Sequence, residues 1–229
     1  MANAKTSAKQ NKLLVRFGVQ NFKYAKYDPD TGKYADPTPY GEGMAKTIAI
    51  EPDSSTKSIY GDGRRICSII HDKGKTVNIT TNNVSEDFEI DMGRKILIGS
   101  MVADIKQTKD VPFAFYFETS GVNKKGGMPL AKTWAYCLHS LTPPAENLQQ
   151  TTDEINESEF ETEFTSDGTL LKNADGSNYK DENGNDVIVW QMTVTPGDEG
   201  YDTFGDKVVL PIMPATVNDG NDAGAEVKA

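Results

Sequence analysis

Residues 157–164 read Glu157-Ser-Glu-Phe-Glu-Thr-Glu-Phe164, an alternation with a period of two. In an extended strand, successive side chains point to opposite faces. Glu157, Glu159, Glu161 and Glu163 then line one side, and Ser158, Phe160, Thr162 and Phe164 line the other. Like charges on one strand face repel, so the glutamate stripe must meet water or a cationic partner, while Phe160 and Phe164 need a core. The stripe lies in a longer tract, 133–171, that holds eight acids and no Lys or Arg.

Other segments read the same way. Leu13 to Tyr27 is a long strand with Leu13, Val15, Phe17 and Val19 on one face. Asp28-Pro-Asp-Thr-Gly32 is a turn, and residues 34–44, rich in Pro, Gly and Tyr, read as loop. Lys46–Glu51 is a short strand, Ile59–Ile70 is a second with an irregular start, and Asp72-Lys-Gly74 turns into Lys75–Thr81. Ser85 can cap a short helix that Glu86 and Asp87 favour at its positive end and Gly93 ends. Strands resume near Ile98–Lys106. Phe113, Phe115 and Phe117 then share one face, as do Trp134, Tyr136 and Leu138. Asp175-Gly176 and Asn183-Gly184 mark the tip of a hairpin returning through Val187–Val194. Many short strands, frequent turns and one short flanking α-helix predict an all-β fold, a β-sandwich or barrel, over residues 13–214. Residues 1–12 are expected to be a flexible N-terminal arm and 215–229 a flexible tail.

The net charge of −10 argues against tight, sequence-independent binding of nucleic acid, which needs a basic face. Residues 1–27 run the other way, with Lys5, Lys9, Lys12, Arg16, Lys23 and Lys26 and no acid. A basic front and an acidic middle can attract each other between copies. Alternating Lys at Phe22-Lys-Tyr-Ala-Lys-Tyr27 reads as an edge strand. No apolar run is long enough to span a membrane, and the polar start lacks the apolar core of a signal peptide, so folding in a cytoplasm is expected. Cys67 and Cys137 are expected to be reduced and buried in strands.

Catalytic and metal chemistry is poorly supplied. Cys67 with His71 and Cys137 with His139 would make a zinc site of unusual spacing, and strand packing is the stronger reading. Asp181-Glu-Asn-Gly-Asn-Asp186 lacks the glycine and glutamate that an EF-hand loop requires. With two His, no nucleophile elbow and no phosphate-cradling loop, we expect no enzyme and no cofactor. An exposed acidic row is not the buried acid of a glycosidase.

Three stretches taken in order carry a resemblance. They are Leu14-Val-Arg-Phe-Gly-Val-Gln-Asn-Phe-Lys-Tyr-Ala25, then Pro112-Phe-Ala-Phe-Tyr-Phe-Glu118 with Trp134-Ala-Tyr-Cys-Leu138, and finally the glutamate strand with Trp190-Gln-Met-Thr-Val-Thr-Pro196. Over about residues 12–196 this order resembles the phi13-type major tail proteins (tail tube proteins) of long, non-contractile-tailed bacteriophages. The resemblance rests on the order of elements, and no single residue set within it is diagnostic. The resemblance implies a structural virion protein whose six copies form a ring, with rings stacking into a tube that conducts genome DNA without binding it. It implies as partners other copies of the chain, a tape measure protein, a tail terminator and baseplate or distal tail proteins. An acidic lumen suits such a conduit, and Glu157, Glu159, Glu161 and Glu163 are candidates to line it, the rivals being the outer wall or a basic arm. Candidates for contacts between copies are Lys5, Lys9 and Lys12 and, in loop 53–74, Ile59, Tyr60, Ile66, Ile69 and Ile70. A phage baseplate or decoration protein, or another β-sandwich binding module, is the alternative.

Overall fold

A computed structural model describes residues 15–107, 109–122, 127–140, 142–147 and 159–214, without the side chains of Ile70, His71, Glu146 and Asn147. Both expected terminal arms lie outside the described residues. The elements are β1 (Val15–Asp28), β2 (Lys33–Tyr34), β3 (Thr38–Pro39), β4 (Ala45–Gly61), β5 (Arg64–Thr81), α1 (Glu86–Asp91), β6 (Lys95–Ile98), β7 (Met101–Asp104), β8 (Phe113–Val122), β9 (Leu130–His139), β10 (Ala145–Asn147), β11 (Glu159–Ser166), β12 (Thr169–Leu170), β13 (Ile188–Val189) and β14 (Gln191–Val194). The fold is all-β with one short helix. A ten-stranded antiparallel sheet runs β2-β1-β8-β9-β11-β5-β4, with β3, β10 and β14 on its sides. The sheet rolls until β4 returns beside β1, where Arg16–Val19 and Lys46–Ile48 line one groove.

The centre of the sheet is covered on both faces. From Phe113 to Phe117 every residue of β8 is buried. On one face Phe113, Phe115 and Phe164 pack with Phe22, Tyr40 and the helix residue Phe88, ring against ring at centroid distances of 5.0–6.1 Å. On the other face Tyr116, Trp134 and Tyr136 pack under residues 198–210, a strap that carries Phe204. The strap is tied to the aromatics it covers. Trp134 Nε1 donates to the Phe204 carbonyl at 2.7 Å, and Tyr136 Oη donates to the Val209 carbonyl at 2.5 Å. Lys23, expected on an edge, instead donates to the Gly205 carbonyl and lies over the Tyr116 ring. A Cβ on Gly205 would stand 2.8 Å from Tyr116 Oη, so the strap approaches this closely because residue 205 has no side chain.

The helix forms as the sequence predicts. Ser85 caps it by accepting from the Phe88 amide, and Gly93 turns the chain away at φ +71°. Beneath it, Arg94 donates to Glu89 at 2.6 Å, to Ser140 Oγ at 2.8 Å and to the Thr142 carbonyl at 2.6 Å. The helix is thereby fixed to the far end of β9.

Bulges overturn several sequence expectations. Trp134, Tyr136 and Leu138 do not share a face. Cys137 takes φ +47° in a bulge of β9, which sends Leu138 to the helix side and leaves Trp134 and Tyr136 under the strap. The Asp72-Lys-Gly74 stretch is not a turn but a bulge inside a continuous β5. Gly74 there has φ +115°, and any Cβ on it would collide with the Ser166 carbonyl. Val15 and Phe17, expected to share a face with Val19, are exposed beyond a bulge at Gly18, while Val19 packs on the core. The strand expected over 98–106 is a hairpin, β6–β7. The return strand over 187–194 splits at Trp190: β13 pairs with β12, and β14 pairs with β9. Tyr40, placed in a loop, is a core residue.

Removing the Phe88 ring would leave a cavity where four aromatic contacts now close. Phe88→Ala is expected to cost about 3–5 kcal/mol in denaturant unfolding, whereas Phe17→Ala, at an exposed site, is expected to change stability by about 0.5 kcal/mol or less.

Candidate interaction surfaces

Residues 53–74 are not a loop. They form the distal half of a hairpin in which β4 and β5 pair from Ala45↔Thr81 out to Gly61↔Arg64, with Asp62-Gly63 at the tip. β11 pairs with β5 at Lys75–Thr81 and no further, so beyond that point the hairpin stands as an arm of two strands. No residue from Glu51 to Ile69 is buried. The arm is two-faced. Opposed residues in an antiparallel pair share a face, which puts Ile59 with Cys67 and Lys57 with Ile69 on one side. Ile66 leans over Gly61 toward that side. Ser58 and Ser68 meet on the other side, with their hydroxyls 3.2 Å apart. Ile59, Tyr60, Ile66 and Ile69 are all exposed, Tyr60 and Ile66 at 69% each. The side chain of Ile70 lies outside the described residues. Cys67, expected to be buried, is exposed, like most of the arm around it.

The tip carries a feature that composition hid. Arg64 and Arg65 are adjacent and exposed, and neither makes an ion pair or side-chain hydrogen bond among the described residues. Two consecutive arginines at a turn have no periodicity to mark them, and a loop reading of 53–74 gave them no direction.

The glutamate strand is β11, and its alternation is realised. Glu159, Glu161 and Glu163 are exposed, and Phe160, Thr162 and Phe164 are buried. Glu157 lies outside the described residues, as do Lys5, Lys9 and Lys12. Glu159 pairs with Lys46 at 2.5 Å on the surface, where such a pair contributes roughly 0.2–1 kcal/mol. Glu161 and Glu163 have no ion pair among the described residues. Their cross-strand neighbours are uncharged: Ala145 and Thr80 flank Glu161, and Asn78 flanks Glu163. The sheet face around them forms a shallow concavity of about 520 Å³, lined by Ala49, Asn78, Pro143, Ala145, Glu161 and Glu163. The stripe thus borders the root of the arm.

The one cysteine–histidine contact among the described residues does not make a nucleophile. Cys137 Sγ lies 3.6 Å from His139 Nε2, and His139 Nδ1 lies 2.5 Å from Asp110 Oδ2. Burial first, then the nearby Asp167 and Asp110 carboxylates, push the Cys137 thiol up to about 11, away from the thiolate that attack requires. His71 and Cys67 are on β5 and Cys137 and His139 on β9, with β11 between them, so the two pairs do not converge. Among the described residues no group of three His, Cys, Asp or Glu is placed to hold a metal ion, and no helix is long and apolar enough to cross a membrane. In the Asp181–Asp186 loop, Asp181 accepts the Asn185 and Asn183 amides to close its own turn.

The two thiols should therefore separate in labelling at pH 8. Cys67 is expected to react with a disulfide reagent at the rate of an open thiol, and Cys137 many-fold more slowly. Cys67→Ser should remove the fast phase, and a fast phase surviving in that variant would contradict the shielding of Cys137, which is half-buried and not fully buried as expected. No protein-family model matches the chain, and no curated protein sequence matches it.

Proposed function

We propose that this chain is a structural virion protein, a tail tube protein whose copies associate in hexameric rings that stack into a tube for genome DNA. The observation that carries the reading is the arm. An isolated two-stranded hairpin is marginal in water, and this one extends from Asp53 outward with large apolar side chains exposed. Such a surface belongs against another protein. Its two free edges and its offset from the body favour a heterologous contact, the kind that closes into rings or runs on as a filament.

The resemblance in the order of segments supports reading the filament as a phage tail tube. The charge fits the use. Six copies at −10 carry −60 per ring, and walls of that sign do not hold phosphate backbones. The partners of this reading are other copies of the chain and the tape measure, terminator and distal tail proteins at the tube's ends.

Electron microscopy of negatively stained protein, purified and concentrated, tests it. Stacked rings are expected, with Cys67 protected from labelling in the assembled fraction. A discrete small oligomer would fit a baseplate or decoration module instead. A monomer at every concentration, with or without the other tail proteins, would end the proposal. Ile66→Asp with Ile69→Asp is expected to leave unfolding unchanged within about 0.5 kcal/mol, since both side chains are exposed, and to abolish the tubes.

A further inference from the structure

We propose that the arginine tip of the arm docks on the concave face of β4, β5 and β11 of a second copy, with Arg64 and Arg65 against Glu161 and Glu163. The inference rests on the tube reading and names the surface that receives the arm. Arg64 and Arg65, at the tip of the hairpin, and Glu161 and Glu163, on β11 beside its root, have no ion pair among the described residues. No copy can satisfy its own pairs through a straight arm, but each can satisfy those of the next.

The shapes and polarities agree. The receiving face has room, with a concavity of about 520 Å³, and Ala49, Pro143 and Ala145 in its lining offer apolar ground. The tip brings Tyr60 and Ile66 beside the arginines, both largely exposed in the free subunit. Arg64 opposes Gly61 and Arg65 opposes Tyr60, so the two arginines leave opposite faces of the hairpin end, and their long, forked side chains set the sign of the contact with the two carboxylates. Lys46 already neutralises Glu159 within the subunit, leaving Glu161 and Glu163 as the acids to be met.

The contact has a length built in. From Ala49 at the concavity to Gly61 at the tip, the strand covers about 40 Å at the rise of a β residue. Successive copies joined tip to face are displaced by that distance, so the repeat along the tube axis is at most about 40 Å. On this assignment Glu161 and Glu163 sit at a joint between copies, not along the DNA path.

Two charge-reversed proteins test the contact, each full length and each first shown to unfold like the wild type. One carries R64E and R65E, and the other carries E161R and E163R. Wild-type tubes supply the reference, and their absence would overturn the tube reading itself. Each variant alone is expected to raise the concentration needed for assembly at least about tenfold, the effect of losing a kilocalorie-scale charge contact. Mixed in equal amounts, the two are expected to assemble again as alternating copies, because each tip then meets a face of opposite charge. Tubes from the R64E/R65E protein at the wild-type concentration, or a mixture that fails as its components fail, would leave the tube standing and overturn this contact. An axial repeat in wild-type tubes well beyond 40 Å would overturn it as well.

Discussion

Everything in this protein depends on β8 being buried on both faces. A strand covered on one side alternates, whereas Phe113-Ala-Phe-Tyr-Phe117 has no polar residue to turn outward. Two layers must therefore meet it. Helix α1 and the edge aromatics supply one, and the strap over Tyr116, Trp134 and Tyr136 supplies the other. With the β8–β9 half held between layers, the β4–β5–β11 half can afford one open face, and that face carries the glutamates. The open part of the sheet is stable because the closed part is anchored.

The division between the halves is made by local backbone devices more than by composition. At Cys137 the bulge lies where β9 changes neighbours, pairing with β14 on the Lys132–Ala135 side and with β11 at Leu138–His139. Asp167 and Tyr136 amides close the fork, donating to the Cys137 and Trp190 carbonyls. The bulge at Gly74 marks the matching point on β5, where the body ends and the arm begins. Each bulge shifts side chains from one face to the other, which is how one sheet serves two cores.

Much of this was legible in the residues, and the failures share a cause. The glutamate strand, the phenylalanine face of β8, the Ser85 cap and the all-β class follow from periods of two and from cap chemistry, which act locally. Asp72-Lys-Gly74 has the composition of a turn between the Ile59–Ile70 strand and Lys75–Thr81, and what makes it a bulge inside one strand is the approach of Ser166 from a strand about ninety residues away. Leu138 was placed on the wrong face because nothing in Trp134-Ala-Tyr-Cys-Leu138 announces a positive φ at a cysteine. The strap was invisible for the same reason: residues 198–210 have little periodicity, and their place is set by Trp134 and Tyr136 finding carbonyl partners. On the candidate surfaces, the acids could be read from their spacing, but the direction of Arg64 and Arg65 required knowing that their strands run on past the sheet.

The outer edges of the arm, unpaired among the described residues, carry a hazard of their own. Strands with open amides and carbonyls on both sides are templates for indiscriminate sheet growth, and this hairpin has apolar residues to reinforce it. Three features hold that growth in check. Register shifts at Asp53/Ser54 and Ile59/Tyr60 spoil a flat edge, Lys57 sits among the isoleucines, and paired cations crown the end. An edge marked in these ways accepts an added strand only in a matching register, so chance pairing of one arm with another is disfavoured.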